Sequence, residues 1–93
     1  MSVSVGAQAL ETAELVLSGD DMYRMGLQAS NGCETGEFDL VTAHKWFNLA
    51  AMMGNSEARA YRAELAAEMT SEQVADAQRQ ARAYLAVHRP AHA

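Results

Sequence analysis

The residues of this chain that could do chemistry are few and stand apart in the sequence. The single cysteine, Cys33, is a possible nucleophile, but the adjacent Glu34 disfavours the reactive thiolate. His44 is followed by Lys45 and has no acidic residue beside it, and we expect it on the exposed face of a helix. These residues do not combine into a nucleophile–base arrangement. The sequence therefore predicts a protein that is not an enzyme.

Metal binding is not expected either. His88 and His92 are spaced like a pair of metal ligands, but Pro90 between them breaks the helix that would align them. An acidic cluster of Glu34, Glu37 and Asp39 lacks the spacing of a twelve-residue calcium loop. We expect that cluster to be a solvated loop, with electrostatic steering of a basic partner as the alternative. No cofactor is predicted.

Charge and hydropathy restrict the partners further. Twelve acidic and seven basic residues give a net charge of −5, and the arginines are dispersed among acids. Nucleic-acid binding requires clustered Lys and Arg, so we expect no nucleic-acid partner. The first ten residues lack the basic and apolar regions of a leader, and no apolar run approaches the roughly 18 residues of a membrane span. With a single cysteine, these features predict a cytoplasmic protein that does not insert into a membrane.

The elements that must position these residues are helices. Alanine is the commonest residue, and glycine and proline are confined to a few places. Capping residues and apolar spacing predict helices over residues 20–31, 39–53, 56–69 and 71–89, with a further short helix over residues 6–17. The connections between the last three helices are short, so consecutive helices should lie antiparallel.

The stretch from about Asp20 to Ala58 carries a recognisable spacing of small and aromatic residues. Its first helix contains Tyr23-Arg24-Met25-Gly26 and closes at Gly32, and its second reads Ala43-His44-Lys45-Trp46-Phe47-Asn48-Leu49-Ala50-Ala51-Met52-Met53-Gly54. This pattern resembles the Sel-one-like repeat, a relative of the tetratricopeptide repeat. The positions that match are Gly26, Gly32, Ala43, Trp46, Ala50, Ala51, Gly54 and Ala58.

That resemblance implies an all-α fold of antiparallel helical hairpins, arranged as a short right-handed α-solenoid. We expect one domain over residues 1–93. It comprises an N-terminal segment (1–19), one repeat (20–54), a degenerate repeat or capping helix pair (55–89) and a tail (90–93). Because an isolated repeat rarely buries its own apolar face, a partner is a natural consequence.

A departure from the repeat pattern marks the candidate binding surface. Positions that are usually polar in this family are apolar here, which makes the second helix apolar nearly all round. We expect either that other helices of the chain cover this surface or that it docks a protein, through Phe47, Leu49, Met52 and Met53. The resemblance implies an adaptor, scaffold or accessory subunit that binds another protein, or a homodimer. A regulator that binds an enzyme or sensor transiently is the alternative.

Overall fold

A computed structural model describes residues 17–32 and 39–88, which form four α-helices and no strand. The helices are α1 (Gly19–Asn31), α2 (Leu40–Met52), α3 (Ser56–Glu68) and α4 (Ser71–Val87). The predicted all-α stack of packed helices is confirmed, and the described helices begin and end within about two residues of the predicted positions. The predicted N-terminal helix over residues 6–17, the 33–38 connection and the tail after His88 lie outside the described residues, apart from Leu17.

The helix starts are specified by local side-chain hydrogen bonds. The Ser18 hydroxyl accepts from the Asp21 amide at 3.0 Å, and the Asp21 carboxylate accepts from the Ser18 amide at 3.1 Å. Thr70 and Gln73 repeat this reciprocal arrangement at the start of α4, at 3.1 and 2.9 Å. Each such pair satisfies two amides that have no partner within the helix, so it fixes where the helix begins.

Two helices end at glycines in the left-handed conformation. Gly32 follows α1 with φ of 66°, and Gly54 follows α2 with φ of 99°. A side chain at either position would be strained, which is why glycine suits these chain reversals.

Helix α2 is the centre of the stack. Each of the other three helices packs on it, whereas α3 and α4 hardly touch each other. Six of its thirteen residues are buried, and they are distributed around the helix: Ala43, His44, Trp46, Phe47, Leu49 and Ala50. A helix with buried residues on more than one side is surrounded by other elements, as its apolar sequence predicted.

Helices α1 and α2 form an antiparallel hairpin with close backbone approach. A Cβ added at Gly26 would lie 2.6 Å from Cε1 of Phe47, so the phenyl ring occupies the space that the glycine leaves. At one end of the pair, the Asp39 amide donates to the Ala29 carbonyl at 3.1 Å. At the other end, Gly19 lies against Met53. Glycine at position 26 therefore permits the two helices to pack around a large side chain.

The remaining helices contact α2 through smaller side chains and a few aromatic rings. Ala58 of α3 and Ala81 of α4 are buried in the core. Tyr84 of α4 meets the Trp46 ring edge-on, with centroids 5.2 Å apart. Arg62 of α3 donates to the Asn48 side chain of α2 at 2.7 Å. These contacts hold α3 and α4 on separate sides of α2.

Candidate functional site

The histidine and the lysine of α2 both have structural surroundings: His44 is buried, and Lys45 lies against the Trp46 ring. His44 is 2% exposed, which corrects the expectation that it faces solvent. Burial and the nearby Arg62 lower the pKa of His44 from its ordinary value. The neighbouring Lys45 places its ammonium 4.5 Å from the centre of the Trp46 ring, a cation–π contact.

The burial of His44 has a physical reason that the sequence contained. Three helices pack on α2, so the polar His44 is covered as fully as its apolar neighbours. The expectation of exposure relied on the polarity of His44 and Lys45 and ignored the apolar residues around the helix. The Nδ1 atom of His44 has no hydrogen-bond partner among the described residues. A neutral imidazole suits such a site better than a charged one.

Other residues considered for chemistry have structural contacts or lie outside the described ranges. Asp39 caps α2, where its carboxylate accepts from the Thr42 amide at 3.0 Å. His88 stacks on Tyr84 with ring centroids 4.3 Å apart. Cys33, Glu34, Glu37 and His92 are among the residues that the structure does not describe. Within residues 17–32 and 39–88, no three His, Cys, Asp or Glu side chains are grouped as metal ligands.

The candidate docking surface divides into a buried and an exposed part. Phe47 and Leu49 are fully buried inside the chain, so the prediction that they contact a partner requires correction. Phe47 fills the gap at Gly26 and stacks on Tyr61, with centroids 5.3 Å apart. In this fold, both side chains contribute to the core instead.

Met52 and Met53 form the exposed part, which we call the Met52–Met53 surface. Their exposed fractions are 56% and 47%. They lie where α2 ends, and the Met53 amide donates to the Leu49 and Ala50 carbonyls at 3.1 Å. Because its backbone is held while its side chains reach solvent, this turn presents two flexible, polarizable side chains from a fixed position.

The turn beside this surface joins three helices. The Asn55 amide donates to the Ala50 carbonyl of α2 at 3.0 Å, and its side-chain oxygen accepts from the Ala58 amide of α3 at 2.8 Å. The side-chain nitrogen donates to Asp20 in the first turn of α1 at 3.2 Å. Asn55 thus fixes the start of α1, the end of α2 and the start of α3 close to the two methionines.

The positions of the repeat pattern are structural in this fold. Ala43, Ala50 and Ala58 are fully buried, and Trp46 packs in the core against Tyr84. Gly32 and Gly54 occupy the reversals after α1 and α2, and Ala51 packs half-buried against the core.

Comparisons with known proteins supply no relative. No family model, no curated protein and no solved structure matches the chain. In the ranges 17–32 and 39–88, no helix is sufficiently long and apolar to cross a membrane.

Proposed function

We propose that this protein is a non-catalytic protein-binding module, an adaptor or accessory subunit that docks its partner on the Met52–Met53 surface. The observation that carries the proposal is the exposure of two adjacent methionines, 56% and 47%, at the end of a helix whose other residues are buried or half-buried. Methionine side chains adapt to irregular apolar surfaces, and adjacent exposed apolar residues at a fixed turn are typical of docking sites.

The repeat resemblance supports the same class of function. The spacing of Trp46, Ala50, Ala51 and Gly54 resembles that of a Sel-one-like repeat, and such repeats commonly serve as adaptors. The proposal assigns these residues to the scaffold and the binding to the turn that follows them. It also places the protein in the cytoplasm.

The placement of the polar groups is compatible with a role without catalysis. His44 is enclosed, and Lys45 packs over Trp46. The carboxylates of Asp21 and Asp39 accept hydrogen bonds at helix starts. Lys45, Asp21 and Asp39 each have a contact that explains them without a substrate, whereas Nδ1 of His44 has no hydrogen-bond partner among the described residues.

A pair of charge substitutions tests the proposal. In the Met52→Glu/Met53→Glu variant, two carboxylates replace the apolar side chains while the core is untouched. Val87→Glu is the matched control, because Val87 is 76% exposed and lies at the end of a different helix. Affinity-tagged versions of all three proteins are purified at native expression levels from cells that produce the protein.

We expect a stoichiometric partner to copurify with the original chain and with Val87→Glu but not with the double variant. Circular dichroism and unchanged thermal midpoints verify that all variants are folded. Retention of the same partner by the double variant would contradict the proposed surface. Isolation of the original chain without any partner, as a monomer in sedimentation, would contradict the proposed function itself.

A further inference from the structure

We propose that the partner of the Met52–Met53 surface is a basic amphipathic segment, which sets its apolar side chains on the two methionines and its lysine or arginine side chains on the carboxylates beside them. This inference rests on the proposed function, because it names the chemistry of the partner that docks at the same surface. It goes further in predicting which kinds of segment the surface rejects.

Two carboxylates lie beside the exposed methionines, one on each neighbouring helix. Gly19, which precedes Asp20, lies against Met53, since a Cβ added at Gly19 would be 3.1 Å from the Cβ of Met53. The Asp20 carboxylate accepts from the Asn55 side chain at 3.2 Å. Glu57 stands two residues after Asn55, in the first turn of α3, and both acids are exposed. Asp20 and Glu57 therefore give the apolar surface an acidic border.

The basic residues of α1 and α3 leave this acidic border negative. Neither acid of the border forms a salt bridge within residues 17–32 and 39–88. Arg24 of α1 pairs with Asp21 instead. Arg59 follows Glu57 by two residues, which places it about 200° around α3, on the opposite side of that helix. Arg62 donates to a side chain of α2.

The acidic border distinguishes three kinds of occupant. An acidic segment would bring like charges together at the edge of the apolar contact, which is unfavourable. A second copy that docks through the same surface about a two-fold axis would bring two acidic borders together, and each chain carries a net charge of −5. A basic amphipathic segment is favoured by both parts of the surface, because the methionines adapt to its apolar side chains and the carboxylates attract its cations.

Binding of two synthetic peptides to the full chain tests this partner chemistry. One peptide, about 14 residues or four helical turns long, carries leucine on one face and lysine on the other. The second peptide has glutamate in place of every lysine. We expect the leucine–lysine peptide to bind and to shift the methyl NMR signals of Met52 and Met53, and the leucine–glutamate peptide not to bind. Equal binding of the two peptides would overturn the proposal, as would a leucine–lysine peptide that leaves both methyl signals unshifted.

A matched pair of charge reversals separates the acidic border from the net charge of the chain. Glu57→Lys reverses a charge beside the methionines. Glu72→Lys makes the same change in the first turn of α4. Helix α4 begins beyond the far end of α3, whose 13 residues span about 20 Å. Both variants change the net charge equally and leave the capping residues Asn55 and Thr70 in place.

At low ionic strength, Glu57→Lys should weaken binding of the leucine–lysine peptide about fivefold, whereas Glu72→Lys should change it by less than about twofold. The loss in Glu57→Lys should shrink as salt rises, because salt screens exposed charges. Circular dichroism and thermal midpoints verify that both variants are folded. Equal losses in the two variants would overturn the proposal, because they would indicate attraction to the net charge alone.

The inference and the proposed function fail separately. If Met52→Glu/Met53→Glu loses its copurified partner but the leucine–lysine peptide does not bind the original chain, the docking surface stands and the basic partner chemistry is wrong. If the peptide binds as expected but the double variant retains its copurified partner, the preference of the surface stands and the docking of that partner there is wrong. A dimer in sedimentation that the double variant dissociates would also overturn the inference, since a second copy would then be the occupant.

Discussion

The two helix pairs of this protein are held together in different ways. Helices α1 and α2 interlock, because the Phe47 ring occupies the space left by Gly26. Helices α3 and α4 hardly touch each other and meet α2 through alanines, through the Trp46–Tyr84 and Phe47–Tyr61 ring contacts and through the Arg62–Asn48 hydrogen bond. Shape complementarity specifies the first pair, whereas the second pair takes its positions from α2. The stability of the stack should therefore be concentrated on one side of the molecule.

Truncation of the largest core side chain should have the largest effect. Phe47→Ala removes a fully buried ring that contacts Gly26, Tyr23 and Tyr61. We expect a loss of about 3–5 kcal/mol in the free energy of unfolding. Leu65→Ala on α3 should lose only about 1–2 kcal/mol, since that side chain is half-buried. Urea unfolding followed by circular dichroism measures both, and equal losses would contradict the comparison.

Filling the gap at Gly26 tests the interlocking directly. Gly26→Ala should lower the free energy of unfolding by about 1–2 kcal/mol, because overpacking outweighs the roughly 1 kcal/mol gain in helix propensity. In the Phe47→Leu background, Gly26→Ala should lower the free energy of unfolding by less than it does in the original chain. The smaller leucine side chain leaves room for the added methyl group. Additive losses in this double-mutant cycle would show that the two positions are not coupled.

The reciprocal caps at the starts of α1 and α4 allow one cap to be removed in each of the two helix pairs. Ser18→Ala and Thr70→Ala each remove one cap and should each cost about 1 kcal/mol. Amide hydrogen exchange in the first turn should rise more at α4 than at α1, because α1 is also held by its hairpin partner. A larger increase at α1 would reverse the proposed order of stability.

Protonation of His44 should have the smallest effect on the free energy of unfolding near neutral pH. Its pKa is lowered from 6.5 by burial and by Arg62, so the unfolded chain binds the proton more readily than the folded chain. The stabilisation is therefore fully present above about pH 6.5 and is lost as the pH falls towards the folded-state pKa.

Urea unfolding between about pH 5 and pH 7 measures this dependence. His44→Leu should remove the part of the acid sensitivity that belongs to His44, and His88→Gln should retain it. The same pH dependence in the His44→Leu variant and the original chain would contradict the assignment.

The helix boundaries could be predicted because their causes are local. Ser18 and Asp21, Thr70 and Gln73, and the glycines at 32 and 54 each act within a few residues of where they stand. Propensity and capping are encoded over that range.

The composition of the candidate surface could be predicted only in part. The apolar sequence of α2 indicated burial on several sides, but it did not say which residues the neighbouring helices cover. Phe47 and Leu49 are covered, whereas Met52 and Met53 are exposed at the end of α2. The apolar residues around α2 also indicated burial of the polar residues between them, so the same reasoning predicts a buried His44.

The turn at Asn55 has an electrical consequence. It gathers the start of α1, the end of α2 and the start of α3 at one end of the molecule. The partial positive charges of two helix starts then lie beside the partial negative charge of one helix end, and the first turns of α1 and α3 add the carboxylates of Asp20, Asp21 and Glu57. The carboxylates outweigh the excess partial positive charge of the helix ends, which is about half an elementary charge, so the end of the molecule that carries the two methionines is negative. An acidic partner is therefore disfavoured at this surface.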